Sequence, residues 1–231
     1  MPDDNWKLAP ADIEARSFAM IDEEAGPRGN WSDEDWRLVR RLIHTSADFD
    51  YMRDLVVSPG AVRAGVAALR EGAIVLTDTH MALSGINLRR LGSFGNSMAC
   101  LVDDVRAVSM AGDSGVTRSM AAVDLAFSSV INRGEGAVWV FGNAPTGLLR
   151  LLERLGSDPS LPVPRLVVGL PVGFVNAFES KKALSESGLP YFITNLSRKG
   201  GSNVAAAAVN ALAAMAREAD RQGRAPETPA P

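Results

Sequence analysis

Five short apolar runs, each too brief for a helix, constrain the fold of this chain more than any other feature. They are AIVLTD (73–78), SMACLV (97–102), AVWVFG (137–142), RLVVGL (165–170) and YFITN (191–195). Each is continuous rather than alternating, as strands buried on both faces are. Each is bounded by turn-forming residues, and helical patterns separate them at 104–112, 117–132, 145–155, 179–187 and 202–221. Strand–helix alternation of this kind predicts an α/β fold: a single domain whose mostly parallel sheet carries helices on both faces, a Rossmann-like three-layer arrangement. A length of 231 residues suits one compact domain. It is expected to span 1–221, with the Pro- and Ala-rich residues 222–231 as a disordered tail.

Three helical patterns precede the first of these runs. PADIEARSFAMIDEEAG sets Ile13, Ser17, Phe18 and Ile21 at helical spacing, with Gly26 as a stop. SDEDWRLVRRLIHTSAD starts with Ser32 as N-cap, places three acids in the first turn, and continues as a Trp36/Val39/Ile43 stripe. SPGAVRAGVAALREG repeats the signal, with Ser58 as cap, Pro59 at the first helical position and Gly72 at the exit.

Several function classes are disfavoured by composition. A net charge of −3 gives no positive face for a nucleic-acid coat. RLVRR, LRR and SRKGG are local basic islands suited to a polyanionic small molecule. Cys100 is the only cysteine, so no internal disulfide or thiolate metal cluster is expected, and the two histidines stand far apart. The start MPDDNWKLAP lacks a signal-peptide pattern, no apolar run reaches a membrane span's ~20 residues, and a cytoplasmic protein with no membrane contact is expected.

In open α/β sheets ligands bind beyond the carboxyl ends of the strands. Here those positions read TDTHMALSGI, FGNAPTG, GLPVGFVNAFESK and TNLSRKGGSN, in which glycines admit close approach and helix-start N–H groups attract anions. FGNAPTGLLRLL lacks the Walker lysine and no G-x-G-x-x-G is present, which speaks against a nucleotide-dependent enzyme. SRKGGSN reads either as a carboxylate site built on Arg198 and Lys199 or as a turn with Ser202 capping the last helix. Arg118, in the first turn of a helix, opposes the helix dipole, as a ligand-binding arginine or an idle exposed one. Glu179, Lys181 and Lys182 read as a solvated helix end. No G-x-S-x-G elbow supports hydrolysis.

His44 lies off the apolar stripe, on the same helical side as Arg37 and Arg40. It is open to two readings, a packed side chain or a proton donor. Asp48 is placed to orient the ring if the helix continues, and the arginines disfavour the imidazolium. His80 has no such company and reads as structural.

Seven stretches in order extend this reading: ARSFAMI (15–21), LIHTSADFD (42–50), TDTHMALSGIN (77–87), GVTRSMAAVD (115–124), FGNAPTGLLRLLE (141–153), GLPVGFVNAFESKKAL (169–184) and RKGGSNVAAAAVNAL (198–212). Together they resemble the methylmutases of corrin biosynthesis, the precorrin-8X methylmutase family, and HTSADFD, MALSGIN, TRSMAAVD and RKGGSNVAAA are closer to its cobalt-pathway branch. Asn176, Phe178 and Ser46 stand where the family pattern has Gly, Ala and a frequent Thr. The resemblance makes 1–221 a methylmutase domain. It implies an isomerase that moves a methyl group from C-11 to C-12 on ring C of (cobalt-)precorrin-8 by an acid-assisted 1,5-sigmatropic shift, giving cobyrinate or hydrogenobyrinate. The family's acid histidine maps onto His44. No cofactor or metal of the protein's own is implied; any cobalt belongs to the substrate.

The substrate's acetates and propionates are then expected to meet Arg118, Arg198, Lys199 and the Gly200–Gly201 turn. Ser17, Thr45 and Ser84 are candidate hydroxyl contacts, with Asn143 from the FGNAPTG loop. A homodimer, with the second subunit walling part of the pocket, and a hand-over of product to the next pathway enzyme complete what the resemblance implies. The rival within the same pocket is a non-catalytic corrinoid carrier.

Overall fold

The fold comes from a computed structural model, described for residues 7–131 and 136–223. From the N-terminus, α1 (Pro10–Ala25), α2 (Asp33–Ser46) and the single turn α3 (Tyr51–Asp54) lead into β1 (Leu55–Val57). Then α4 (Ala61–Arg70) precedes β2 (Val75–Thr77), and the short α5 (His80–Gly85) and α6 (Leu88–Leu91) precede β3 (Met98–Cys100). Next, α7 (Val105–Ser114) and α8 (Arg118–Ser129) precede β4 (Val138–Phe141). After these come α9 (Pro145–Ser157), β5 (Leu166–Gly169), α10 (Ala177–Ser185), β6 (Phe192–Asn195) and α11 (Ser202–Gly223).

The six strands form one sheet in the order β1-β6-β5-β4-β2-β3, all parallel except β1, which runs antiparallel to β6. Successive strand residues serve opposite faces. Val138, Val140, Leu166 and Val168 face α2, α4 and α11, while Trp139, Phe141 and Val167 face α8, α9 and α10. That double burial is why the runs are continuously apolar, and it is the expected three-layer fold. The alanine-rich stretch of α11, with Ala205, Ala206, Ala208 and Ala213 buried, lets it press close against α2, α4 and α5. A Cβ on Gly85 would stand 2.8 Å from the Ala206 methyl. On the other face Arg150 forks onto Asp124 through three contacts at 2.9–3.1 Å and Arg154 adds a fourth, tying α8 to α9.

Some local expectations change. The strand at 55–57 was not expected, nor were α5 and α6. Ser58 is not a cap: α4 begins at Ala61, and the Ser58 hydroxyl donates to Pro190 O and accepts from Phe192 N–H, stitching the start of β6. Ser202 starts α11 rather than capping it, and its hydroxyl lies 2.8 Å from that of Thr79. Ser32 and Gly26 act as expected, the first accepting from Asp35 N–H and the second ending α1 at φ 61°. The last helix runs to Gly223, so the first two residues of the expected tail are helical; the rest of that tail lies outside the described residues. Among the described residues no helix is long and apolar enough to cross a membrane.

Candidate active site

Helix α2 is pinned before it presents its histidine. Trp36, Val39 and Ile43 are buried, the Trp36 indole N–H donates to Asp22 at 2.7 Å, and Arg40 pairs with the same carboxylate at 2.5 Å. His44, one position past Ile43, turns outward and is exposed. Its ring meets the edge of Phe18 from α1, centroids 5.3 Å apart at 64°. The guanidinium groups of Arg40 and Arg41 lie 4.3 and 4.7 Å from the centre of that phenyl ring. The imidazole is thus braced by an aromatic ring that two cations hold in place. Partial burial, then the charge of Arg41, lowers its pKa below 6.5, against a raising pull from Glu14.

The histidine opens onto a recess of about 410 Å³ walled by Ser17, Met20, Glu24, Ala47 and Phe49 among others. The Ser17 hydroxyl donates to Ile13 O and stands at this wall. Thr45 is half-buried and donates to Arg41 O at 2.9 Å; it is not part of the wall. Asp48 does not orient the ring. The helix stops at Ser46, Ala47 takes the left-handed conformation at φ 53°, and the chain carries Asp48 away to the Lys199 ammonium at 2.5 Å. Asp50 holds the same ammonium from the other side. These contacts make Lys199 strongly cationic, with its pKa raised by both carboxylates.

The Lys199 ammonium, expected to meet substrate, is therefore already engaged within the chain. Gly201 also differs from expectation, since its N–H donates to Leu170 O at 2.9 Å. Gly200, at φ 154°, passes so close that a Cβ there would lie 2.2 Å from that carbonyl. Arg198 is exposed and lies over the Phe174 ring at 5.4 Å. Phe174 and Val175 beside it are 82% and 80% exposed, forming an apolar ledge over the end of β5. Asn176 sits at φ 59°, a conformation that glycine adopts freely and asparagine tolerates, which accounts for the departure from the family pattern there.

The remaining candidates lie elsewhere on the carboxyl rim. Ser84 is exposed on α5, outside the recess walls. Arg118 opens α8 behind its cap Thr117, whose hydroxyl lies 3.0 Å from that of Thr146. Asn143 has an exposed side chain, but its N–H is occupied.

Its partner is Asp78, which sequence reading passed over as the end of a strand. The sheet order reverses between β2 and β4, the place where a doubly wound fold binds nucleotides. Here the Asp78 carboxylate fills that place, accepting N–H bonds from Gly142, Asn143 and Ala144 at 3.0, 2.7 and 2.6 Å. Burial raises its pKa, against the lowering effect of these donors. A Cβ on Gly142 would come within 2.6 Å of Ser202 Cα, and the neighbouring cavity is only about 20 Å³. The N–H groups expected to attract a ligand anion are spent on the protein's own carboxylate, and no room is left for a dinucleotide.

Two further readings change. His80 is not without company: its Nε2 stands 2.8 Å from Asp103 on the exposed rim. Lys181 is not a solvated helix end. It is fully buried, its ammonium donates to Asn195 Oδ1 and Lys199 O, and burial pulls its pKa down to about 8. Buried Ala177, Ser180 and Leu184 share its face, so the helical period was the overlooked signal. Among the described residues no three His, Cys, Asp or Glu side chains group as a metal site.

Comparison with known proteins adds to this geometry. The sequence profile described as precorrin-8X methylmutase matches residues 12–215. The chain is 47% identical over 214 residues to a cobalt-precorrin-8 methylmutase of Salmonella typhimurium, covering 91% of this chain and 97% of that one. It is 43% identical over 203 residues to a precorrin-8X methylmutase of Pseudomonas aeruginosa, covering 87% and 93%. The crystal structure of a precorrin-8X methylmutase from Thermus thermophilus superposes with a TM-score of 0.82 at 42% identity, covering 90% of this chain and 97% of that one.

Proposed function

The chain belongs to the precorrin-8X methylmutase family and is an isomerase of corrin biosynthesis; on that premise we propose that it moves a methyl group from C-11 to C-12 of cobalt-precorrin-8, with His44 as the acid. The observation that carries this reading is an exposed imidazole, braced by Phe18, at the mouth of an open recess. His44 donates a proton to the ring C region. That draws electron density from the conjugated system, so the C-11 methyl bond breaks as the C-12 bond forms. The proton then returns to the imidazole, and the product is an isomer of the substrate with no atom gained or lost.

General acid catalysis of this kind contributes roughly 10²–10⁴-fold, and holding the macrocycle in a reactive shape supplies much of the rest. In the free protein the imidazole holds its proton loosely. A substrate bearing many carboxylates raises that affinity as it binds, so acid and substrate arrive together. Arg118 and Arg198 meet carboxylates, and the ledge of Phe174 and Val175 offers an apolar face to the macrocycle.

No organic or metal cofactor of the protein's own is part of this scheme, and cobalt enters with the substrate. The enzyme works in the cytoplasm and hands cobyrinate to the next enzyme. A tetrapyrrole is broader than a 410 Å³ recess, and Ile13 and Met20 are exposed on the same helix as Ser17. Both favour a homodimer in which a second subunit covers the ring.

The test uses cobalt-precorrin-8 carrying carbon-13 in the C-11 methyl. The labelled resonance is expected to move to that of a C-12 methyl as the visible spectrum shifts. A label that stays put while the protein binds the pigment overturns the reading in favour of a carrier.

A further inference from the structure

Lys181 is 0% exposed, and among the described residues no carboxylate is in contact with its ammonium; the charge of Asp54 acts on it only from a distance, and burial outweighs that pull. A buried cation with no counter-ion in contact is a costly way to stabilise a fold, so where its donors go is informative. Two of its three N–H groups serve the start of one loop. The ammonium donates to Lys199 O at 2.6 Å and to Asn195 Oδ1 at 3.1 Å. Asn195 is buried at the end of β6, and its amide donates in turn to Lys199 O at 3.1 Å and to the Ser197 hydroxyl at 2.7 Å. Two donors from beneath therefore converge on a single carbonyl in the middle of the segment 197–201.

The same segment is tied at three other points. Gly201 N–H reaches Leu170 O, Arg198 O accepts from Gly173 N–H at 3.2 Å, and the Lys199 side chain bridges to Asp48 and Asp50. That last bridge joins the segment to the chain just past the helix end that carries His44. Fixing the Lys199 carbonyl thus sets the direction of Arg198 on one side and the link to the acid-bearing helix on the other.

We propose that Lys181 is a positioning residue, which holds the Lys199 carbonyl from inside the protein and so sets the 197–201 segment in the shape that receives substrate. The proposal rests on the reading above that this segment meets carboxylates of the macrocycle. The ammonium touches no substrate; it acts through the backbone of Lys199.

The experiment compares wild type with Lys181→Met and Lys181→Gln in steady-state turnover of cobalt-precorrin-8, in amide hydrogen exchange of the 170–173 and 196–201 peptides, and in thermal unfolding. Methionine fills the space without a donor, and glutamine restores one. Exchange at Gly201 and Gly173 is expected to quicken in the Met variant. KM is expected to rise about 10–100-fold with kcat within about threefold, because Arg198 grips a peripheral carboxylate equally in the ground and transition states. The Gln variant should fall between. Unchanged exchange in the Met variant overturns the role of Lys181. A common fall in kcat and unfolding temperature in both variants, with no KM shift of its own, overturns it in favour of a purely structural lysine. Quickened exchange with an unchanged KM leaves the hold on Lys199 standing and overturns instead the assignment of the segment to substrate carboxylates.

Discussion

His44→Ala is expected to lower kcat by about 10²–10⁴-fold while product binds within about threefold of wild type, since a general acid adds to the transition state and little to ground-state affinity. The side chain is exposed and its packing partner is a single phenyl edge, so the substitution removes no core contact and the unfolding midpoint should barely move. Steady-state kinetics with cobalt-precorrin-8 and a spectral titration with cobyrinate measure the two halves. A pH profile supplies an internal check. The acid must be protonated, and burial and Arg41 hold its pKa below 6.5 in the free protein. In wild type kcat/KM should therefore fall as pH rises through that lowered value, and the residual activity of the Ala variant should lack this limb. A carrier predicts the opposite pattern, with no change in pathway flux.

Asp78→Ala is expected to destabilise the fold by about 2–4 kcal/mol, because one buried and two part-buried N–H groups would lose their common acceptor at up to about 1–3 kcal/mol each, offset where water can reach them. Urea unfolding followed by circular dichroism reads this as a lowered midpoint with an unchanged slope. Asp78→Asn keeps one carbonyl oxygen but turns an N–H₂ group toward the other donors, so it should recover only part of the loss. The pH dependence has a definite sign. Burial raises the Asp78 carboxyl above its unfolded value, so its stabilising contribution is largest at low pH and shrinks as pH rises through the raised value. The gap between wild type and the Ala variant should narrow in that direction.

The layered fold was legible because it depends on period and length. Five runs with no polar alternation require a sheet covered twice, and the intervening helices supply the cover. The edge strand Leu55–Val57 was not legible: three residues after a helical turn carry too little pattern, and the strand exists because β6, far along the chain, offers it an edge. His44 stood out because it falls off an apolar stripe that the sequence spells clearly. Its orienting partner was misread, since the left-handed turn at Ala47 that diverts Asp48 needs no glycine and leaves no mark.

Lys181 and Asp78 were missed for a shared reason. A charged residue in an otherwise apolar period reads as a boundary, when in this chain each is a buried group feeding a loop at the carboxyl rim. The positions themselves held the signal: Lys181 shares the buried face of Ala177 and Leu184, and Asp78 directly follows a strand buried along its whole length. The same economy explains why the glycine-rich segments were over-read as ligand sites. Gly201 and the 142–144 turn do present N–H groups, but Leu170 and Asp78 accept them. Open donors cannot be told from satisfied ones until the rest of the chain has folded around them.

The central claim is that the His44 imidazole hands a proton to ring C of a tetrapyrrole seated in the recess between α1 and the end of α2. The most direct measurement is a crystal structure of the protein with cobyrinate bound. The expected result has ring C facing His44, an imidazole nitrogen within about 3.2 Å of its conjugated edge, and the carboxylates reaching Arg118 and Arg198. A macrocycle that presents a different ring to His44, or that sits over another part of the carboxyl rim with the imidazole left in solvent, would contradict the account.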